Sequence, residues 1–548
     1  MARKNDKRQK FNRKAPKREE LQKVTKSSRQ SGSDLENQAP FNDFEWYNNN
    51  PNLTQAAASI PFPYRPGMYL DLGDKTMYNY GSSIPGVMSL EYALSVGRSA
   101  DVTSPISIAA KEMYGRIRDK FSGTLPEDAP DIMLYIMAMD SVYLCIGEMK
   151  RLYRILNAYS PYNYAVPTAL VQAATCGFPG GLVATEEFIT SLRRDKMKLF
   201  QYINELVGMT RKFTVPGNMS IIKRHYWLAD NVYTDDPSPA SQMYMFVNTY
   251  HYKFEIYQDA GSLAPTHWPE PTTSSSYVDL MYDHVRGLIE ALANSEDAYT
   301  INGHLMRAYE GEPTFTLDYM DLNQEWEPKF IPMVLMQIEN ALTIPGSIDE
   351  DSLRIKQNVG SNALIHKPTF SLSTSATTNK SALLGHIKPM LSIRSEVPSV
   401  EMVVEASRLH MAWRETTSSG IYDILCGTEI LLHFQMFTPS NSTPSGHAVT
   451  LGYPEFESFI VSPVAVTPAA SNVPIDKFDL GRISDLSRWM YHPFIYYVTK
   501  FATSGTTVDG GKLYVFGDFH NVTTLTPEQV DNINRVCVYS QFNTFKLS

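Results

Sequence analysis

Gly177-Phe178-Pro179-Gly180-Gly181 has the glycine density of a phosphate cradle. It lacks the Lys-Ser/Thr pair that a P-loop places next, and Pro179 removes one amide that a phosphate would use. A turn is expected there. Asp349-Glu350-Asp351 gathers carboxylates, but no glycine or further oxygen ligand follows at calcium-loop spacing, so a solvated turn or helix start is expected. Gly517-Asp518-Phe519 looks like the Gly-Asp-Asp of RNA polymerases with Phe519 in place of the second carboxylate, and two-metal chemistry then lacks a ligand. Neither His-Glu-x-x-His nor Gly-x-Ser-x-Gly occurs. The twelve histidines are scattered, with none three or four residues from another, and no metal site is expected from their spacing.

Asp140 is the sharpest single residue, because it interrupts the apolar run Ile132 to Ile146. A carboxylate in such a run needs a hydrogen-bond or ionic partner. One acid without a companion base points to structure rather than catalysis. No catalytic residue, cofactor or metal is therefore expected, and the chain reads as a non-enzyme.

The opening segment carries the strongest local signal. Residues 1–30 hold Arg3, Lys4, Lys7, Arg8, Lys10, Arg13, Lys14, Lys17, Arg18, Lys23, Lys26 and Arg29 against three acids, a net +9. The remaining 518 residues hold 37 basic and 55 acidic groups, a net −18. A basic tail on an acidic body separates a part that seeks polyanions from one that does not. These twelve side chains are the expected polyanion-binding residues; a solubilising tail or a nuclear-localisation segment is the blander reading. Phe11 is the only aromatic among them, so base stacking adds little and binding should tolerate any sequence.

The elements that would carry these residues divide unevenly. Residues 1–42 are polar enough to be a disordered arm, with a marginal helix near 16–26. Order is expected from Phe41, Phe44, Trp46 and Tyr47, and Pro61 to Pro66 should be extended. Helices are expected from Pro105 to about Phe121, from Ala129 to about Ala158, and from Thr185 to about Phe213. Pro265 to Ser276 reads as a surface loop, followed by a helix with Val278, Met281, Val285 and Leu292 on one face. Ser399 should cap a helix running to Trp413. The last quarter turns to strand at Ile430–Phe437, Phe456–Val466, Phe494–Phe501 and Lys512–Phe516. Thr526-Pro527-Glu528-Gln529 is a capped helix start. The fold class is mainly α with a β-rich C-terminal portion. The run Ile132 to Ile146 is too short to span a bilayer, and a soluble chain with no membrane partner is expected. Cys145, Cys176, Cys426 and Cys537 form no CxxC pair, which fits a reduced intracellular setting.

Several blocks resemble, in the same order, the capsid proteins of picobirnaviruses. They are Ile84-Pro85-Gly86-Val87-Met88, Ser104 to Ala110, Asp131 to Ser141, His225 to Asp235, Gln242 to Phe246, Ser399 to Leu409, and Val536-Cys537-Val538 with Phe542. The resemblance runs from about residue 45 to the end and thins between 255 and 395 and between 440 and 510. It implies a coat protein of a segmented double-stranded RNA virus that pairs into homodimers and builds a T=1 icosahedral capsid. It further implies a virion location, host-cell cytoplasm before assembly, and viral RNA and the viral RNA polymerase as partners inside the particle. On that basis 1–42 is the disordered RNA-binding arm, 43–230 and 396–548 are two parts of a helical shell domain, and 231–395 is a projecting domain. Two other classes stay open: a cellular RNA-binding or RNA-packaging protein, and an enzyme with a scattered site.

Overall fold

The computed structural model describes residues 50–61, 85–159, 165–178, 186–238, 241–258, 260–271, 276–371, 388–416, 420–441, 449–452, 455–456, 459–461, 486–499 and 512–544. The arm 1–42, the expected start of order at Phe41 to Tyr47 and most of Pro61 to Pro66 lie outside them. The chain divides into a unit ending at Arg65 and a unit beginning at Pro66. In the first, the helix Pro51–Ala58 is capped by the Asn50 side chain, which accepts from the Asn52 amide at 3.0 Å, and it buries no residue.

The second unit is built around the 29-residue helix Ala129–Asn157. Pro130 opens its first turn, and the Asp128 amide donates to Asp131 Oδ2 at 2.8 Å. Its side chains are buried on every side, which is why the sequence shows an apolar run and no polar stripe. Among the described residues it is the one helix long and apolar enough to cross a membrane, and it lies wholly inside the core.

Against it lies a nine-stranded sheet. Its main path runs Val449–Gly452, Glu429–Asn441, Val87–Leu94, Met243–Tyr257, Ala260–Thr266, Ile355–Asn358, Ala363–Ile365. Val87–Leu94 is parallel to Met243–Tyr257 and antiparallel to Glu429–Asn441, with Val87 opposite Met243 on one side and Phe437 on the other. The parallel pair needs a long crossover, which the helices between residues 105 and 230 provide.

The helices Pro105–Lys120, Tyr277–Ala293 and Pro527–Phe542 form where the sequence places them. Thr526 and Gln529 make a reciprocal capping box, with Thr526 Oγ1 accepting from the Gln529 amide at 3.3 Å and Gln529 Oε1 from the Thr526 amide at 2.8 Å. The helix expected over Thr185 to Phe213 is two, Glu186–Arg194 and Lys196–Thr210. The break is at Asp195, whose carboxylate accepts from Arg194 and from the Ser276 hydroxyl at 2.6 Å. Ser399 caps its helix, accepting from the Met402 amide, but the helix ends at Ala406 and Trp413 sits on the strand Ala412–Glu415.

The helix-rich class holds, and strand also occurs outside the C-terminal portion. Val87–Leu94 is buried at all eight positions, Ser89 and Glu91 included, so it has no two-residue alternation to read. Met243–Tyr257 is buried on both faces through its first six residues for the same reason. The late strands occur near their expected places, as Glu429–Asn441, Glu455–Phe456, Phe459–Val461, Ile495–Thr499 and Lys512–Phe516. One continuous core joins Val87, Met139, Val247, Leu288, Ile430 and Val538. It does not divide at residues 230 and 395, because the 243–257 strand pairs directly with the 87–94 strand.

Candidate functional site

All twelve expected RNA-binding residues, Arg3 to Arg29, fall in 1–49 and so lie outside the described residues. Of the chemistry-bearing motifs, Gly177 and Phe178 are described and sit against the sheet. A side chain on Gly177 would come within 3.1 Å of Val247, and the Phe178 ring packs 5.2 Å from Tyr277 and 5.8 Å from Trp268. This is a packed turn. Asp349 precedes a short 3-10 helix, Glu350–Leu353, where Glu350 accepts from the Tyr250 hydroxyl at 3.2 Å. Asp518 lies 3.8 Å from Arg394, which is also held by Glu339 at 3.1 Å.

Asp140 is fully buried, and its Oδ2 lies 2.5 Å from His225 Nδ1. The other His225 nitrogen faces Glu429 Oε1 at 3.5 Å, and Arg224 Nε donates to that same oxygen at 2.5 Å. Arg224 also donates to Gln337 Oε1 at 3.1 Å. Four elements thus close on one point: the central helix, the helix Ser220–Asp230, the strand Glu429–Asn441 and the helix Pro332–Glu339. Burial alone would lower the His225 pKa, but Asp140 and Glu429 outweigh it and raise it to about 9. Burial would raise Glu429, but Arg224 and His225 bring it down to about 2. The imidazolium and the Glu429 carboxylate are charged together at neutral pH. A proton so firmly held is poorly suited to transfer, so the cluster ties elements together.

A second buried cluster occupies the next turns of the same helix. The donor atoms of Cys145, His251 and His284 all lie within 4.8 Å of one another. His251 Nδ1 and His284 Nε2 are 3.1 Å apart. The far nitrogen of His251 points toward Glu148 Oε2 at 3.8 Å, and among the described residues it has no hydrogen-bond partner. Glu148 is fixed by Trp268 Nε1 at 3.1 Å and the Asn248 amide at 2.9 Å. Burial, with His251 adding to it, lowers the His284 pKa to about 3, and burial pushes the Cys145 thiol well up. Spacing along the chain could not reveal this group, because its members come from two helices and a strand.

Two further blocks of the resemblance also meet in space. The Gly86 amide donates to Gln242 Oε1, the Met243 amide to the Gly86 carbonyl at 2.9 Å, and Trp489 Nε1 to the Met243 carbonyl at 3.1 Å. A Cβ at Gly86 would lie 2.8 Å from the Trp489 ring, so the close approach requires glycine.

The family model described as "Picobirnavirus, Capsid protein" matches residues 46–423. The chain belongs to the picobirnavirus capsid protein family. A capsid protein precursor of human picobirnavirus (strain Human/Thailand/Hy005102/-) is 25% identical to it over 534 residues, covering 92% of this chain and 91% of the relative. The fold is also that of the solved picobirnavirus capsid, with a TM-score of 0.73 at 20% identity over 91% of this chain and 98% of the other. As a capsid protein, this chain is a structural component of the virion. Its buried polar clusters are accordingly read as parts of a shell subunit.

Proposed function

We propose that this capsid protein pairs into homodimers that close into a T=1 icosahedral shell around a segmented double-stranded RNA genome, with the basic arm inside on the RNA. The observation that carries the reading is a polar body with large apolar side chains left on its surface. Val397 and Val400 are 82% and 81% exposed, and Val359, Ile256 and Val536 are exposed as well. Val397 and Val400, three residues apart in sequence, are the most exposed of them and are side chains that a second copy can cover. A closed symmetric contact makes a finite particle from one repeated chain, and an obligate contact buries more than about 2,000 Å².

The arm supplies the second half of the proposal. Twelve cations in thirty residues, on a body of net −18, hold the RNA through phosphates while the body stays off it. The viral polymerase would travel inside with the genome, and the protein would wait in the host-cell cytoplasm before assembly. The expected projection at 231–395 has to be built from what that segment leaves on the surface, since its strands at residues 243–266 belong to the main sheet.

Particles from full-length chains and from chains lacking residues 1–40 test the reading. Electron microscopy should show closed spheres in both, and the ratio of absorbance at 260 to 280 nm should fall sharply in the truncated form. For the free arm on single-stranded RNA, the log–log salt slope should approach about −0.7 per phosphate neutralised. Equal RNA content in both particles would remove the arm's packaging role. A chain that stays monomeric across salt and pH would remove assembly.

A further inference from the structure

We propose that Cys145, His251 and His284 form a zinc site inside the capsid subunit. Three donors of the types zinc prefers, one thiol and two imidazoles, converge where the central helix, the strand Met243–Tyr257 and the helix Tyr277–Ala293 meet. The spacing fits the ion. Two nitrogens on a tetrahedral zinc with bonds of roughly 2.0–2.1 Å are about 3.3 Å apart. His251 Nδ1 and His284 Nε2 are 3.1 Å apart before any ion is considered.

The surroundings orient the ligands. With its proton on Nε2, His251 faces Glu148 Oε2 at 3.8 Å and leaves the Nδ1 lone pair free for the metal. At that distance the carboxylate acts on the ring through its charge, which favours a proton on the near nitrogen and strengthens a metal-bound histidine. Glu148 cannot swing away, because the Trp268 indole and the Asn248 amide hold one oxygen each. Trp268 also walls the site, its ring 4.7 Å from His251 and 5.1 Å from His284. A simple hydrogen bond between the two imidazoles would need neither the thiol nor the carboxylate.

Cys145 and His251 are buried, while His284 is partly exposed and offers the way in. Binding displaces the Cys145 thiol proton to solvent and forms the zinc–sulfur bond, with no change of oxidation state. Thiolate and imidazole together favour zinc over magnesium or calcium, which take oxygen ligands. Three protein ligands leave a fourth position for water. The ion would pin the helix Tyr277–Ala293 to the central helix and the sheet.

Assembled particles should be loaded with zinc chloride, dialysed against metal-free buffer and assayed for bound metal by mass spectrometry. About one zinc per chain is expected, falling at least about tenfold in Cys145→Ser and in His284→Gln. Cobalt loading of the unaltered chain gives a readout independent of mutant folding. A thiolate-to-cobalt charge-transfer band with strong tetrahedral d–d absorption supports the site. Zinc well below one per chain in the unaltered particle, zinc unchanged in both variants, or a cobalt spectrum without the thiolate band would each overturn it.

Discussion

Asp140 and Cys145 stand five residues apart on one buried helix, yet the polar clusters around them are opposites. At Asp140 every charge meets an opposite charge: the carboxylate meets the His225 imidazolium, and Glu429 lies between His225 and Arg224. At Cys145 the thiol and the His284 imidazole are neutral, and one His251 nitrogen has no hydrogen-bond partner among the described residues. The first cluster closes its ion pairs within the chain, although Asp140 Oδ1, His225 Nε2 and Arg224 Nη2 have no hydrogen-bond partner among the described residues. The second would be closed by the proposed zinc. Leaving a buried charge without its partner costs more than leaving a buried neutral polar group without one, so the charged cluster is the one that must be paired.

The comparison breaks first at Glu429. This carboxylate is shared by Arg224 and His225, so Glu429→Gln takes away the carboxylate partner of Arg224 and leaves His225 with Asp140 alone. Removing one member of a buried ionic group costs about 3–5 kcal/mol. Chemical denaturation of the unassembled protein should show a loss of that order. A loss as small as that of a surface pair would mean that water reaches the cluster.

Asp140→Asn should cost less, about 1–3 kcal/mol, because His225 keeps Glu429 and the carboxamide that replaces the carboxylate can still accept a hydrogen bond. It should also change the pH profile. The folded-state pKa of His225, about 9, is above its unfolded value, so its contribution is complete below about pH 6.5 and is lost as pH rises through 9. The unaltered protein should therefore lose stability between those limits, and Asp140→Asn should flatten that decline. On the acid side, burial holds His366 and His410 near 4, so their contribution is present above about pH 6.5 and is lost as pH falls through 4. That loss should be the same in both proteins. An Asp140→Asn profile parallel to the original at alkaline pH would mean that His225 is not held by Asp140.

Much of this was legible from the residues, and the failures share one cause. Helices reveal themselves through caps and through an apolar face, and Thr526 with Gln529 and Ser399 with Met402 behave as their chemistry dictates. Asp140 was legible as a carboxylate in need of a partner, but His225 was not, because the partner is 85 residues away. The strands Val87–Leu94 and Met243–Tyr257 were missed because complete burial removes alternation. The same central strands join segments that composition sets apart, since Val87–Leu94 pairs with both Met243–Tyr257 and Glu429–Asn441. The Cys145 cluster left no trace in spacing, since a site assembled across a sheet and two helices has none.

The smallest effect belongs to an ion pair of matching geometry. Arg286 and Glu290, one turn apart on the helix Tyr277–Ala293, meet at 2.6 Å, much as Arg224 and Glu429 meet at 2.5 Å. The side chains of the outer pair are 48% and 46% exposed, whereas Glu429 is 2% exposed. Water and salt screen the outer charges, and each is well solvated when its partner is removed. Glu290→Gln should leave the denaturation midpoint within the scatter of repeat measurements, and added salt should remove any residue of a shift. The buried cluster should keep most of its effect in the same salt, since little solvent reaches it. Distance alone would rank the two pairs as equals. A midpoint shift in Glu290→Gln comparable to that of Glu429→Gln would show that contact geometry, not burial, sets the scale, and the contrast between the clusters on the central helix would lose its basis.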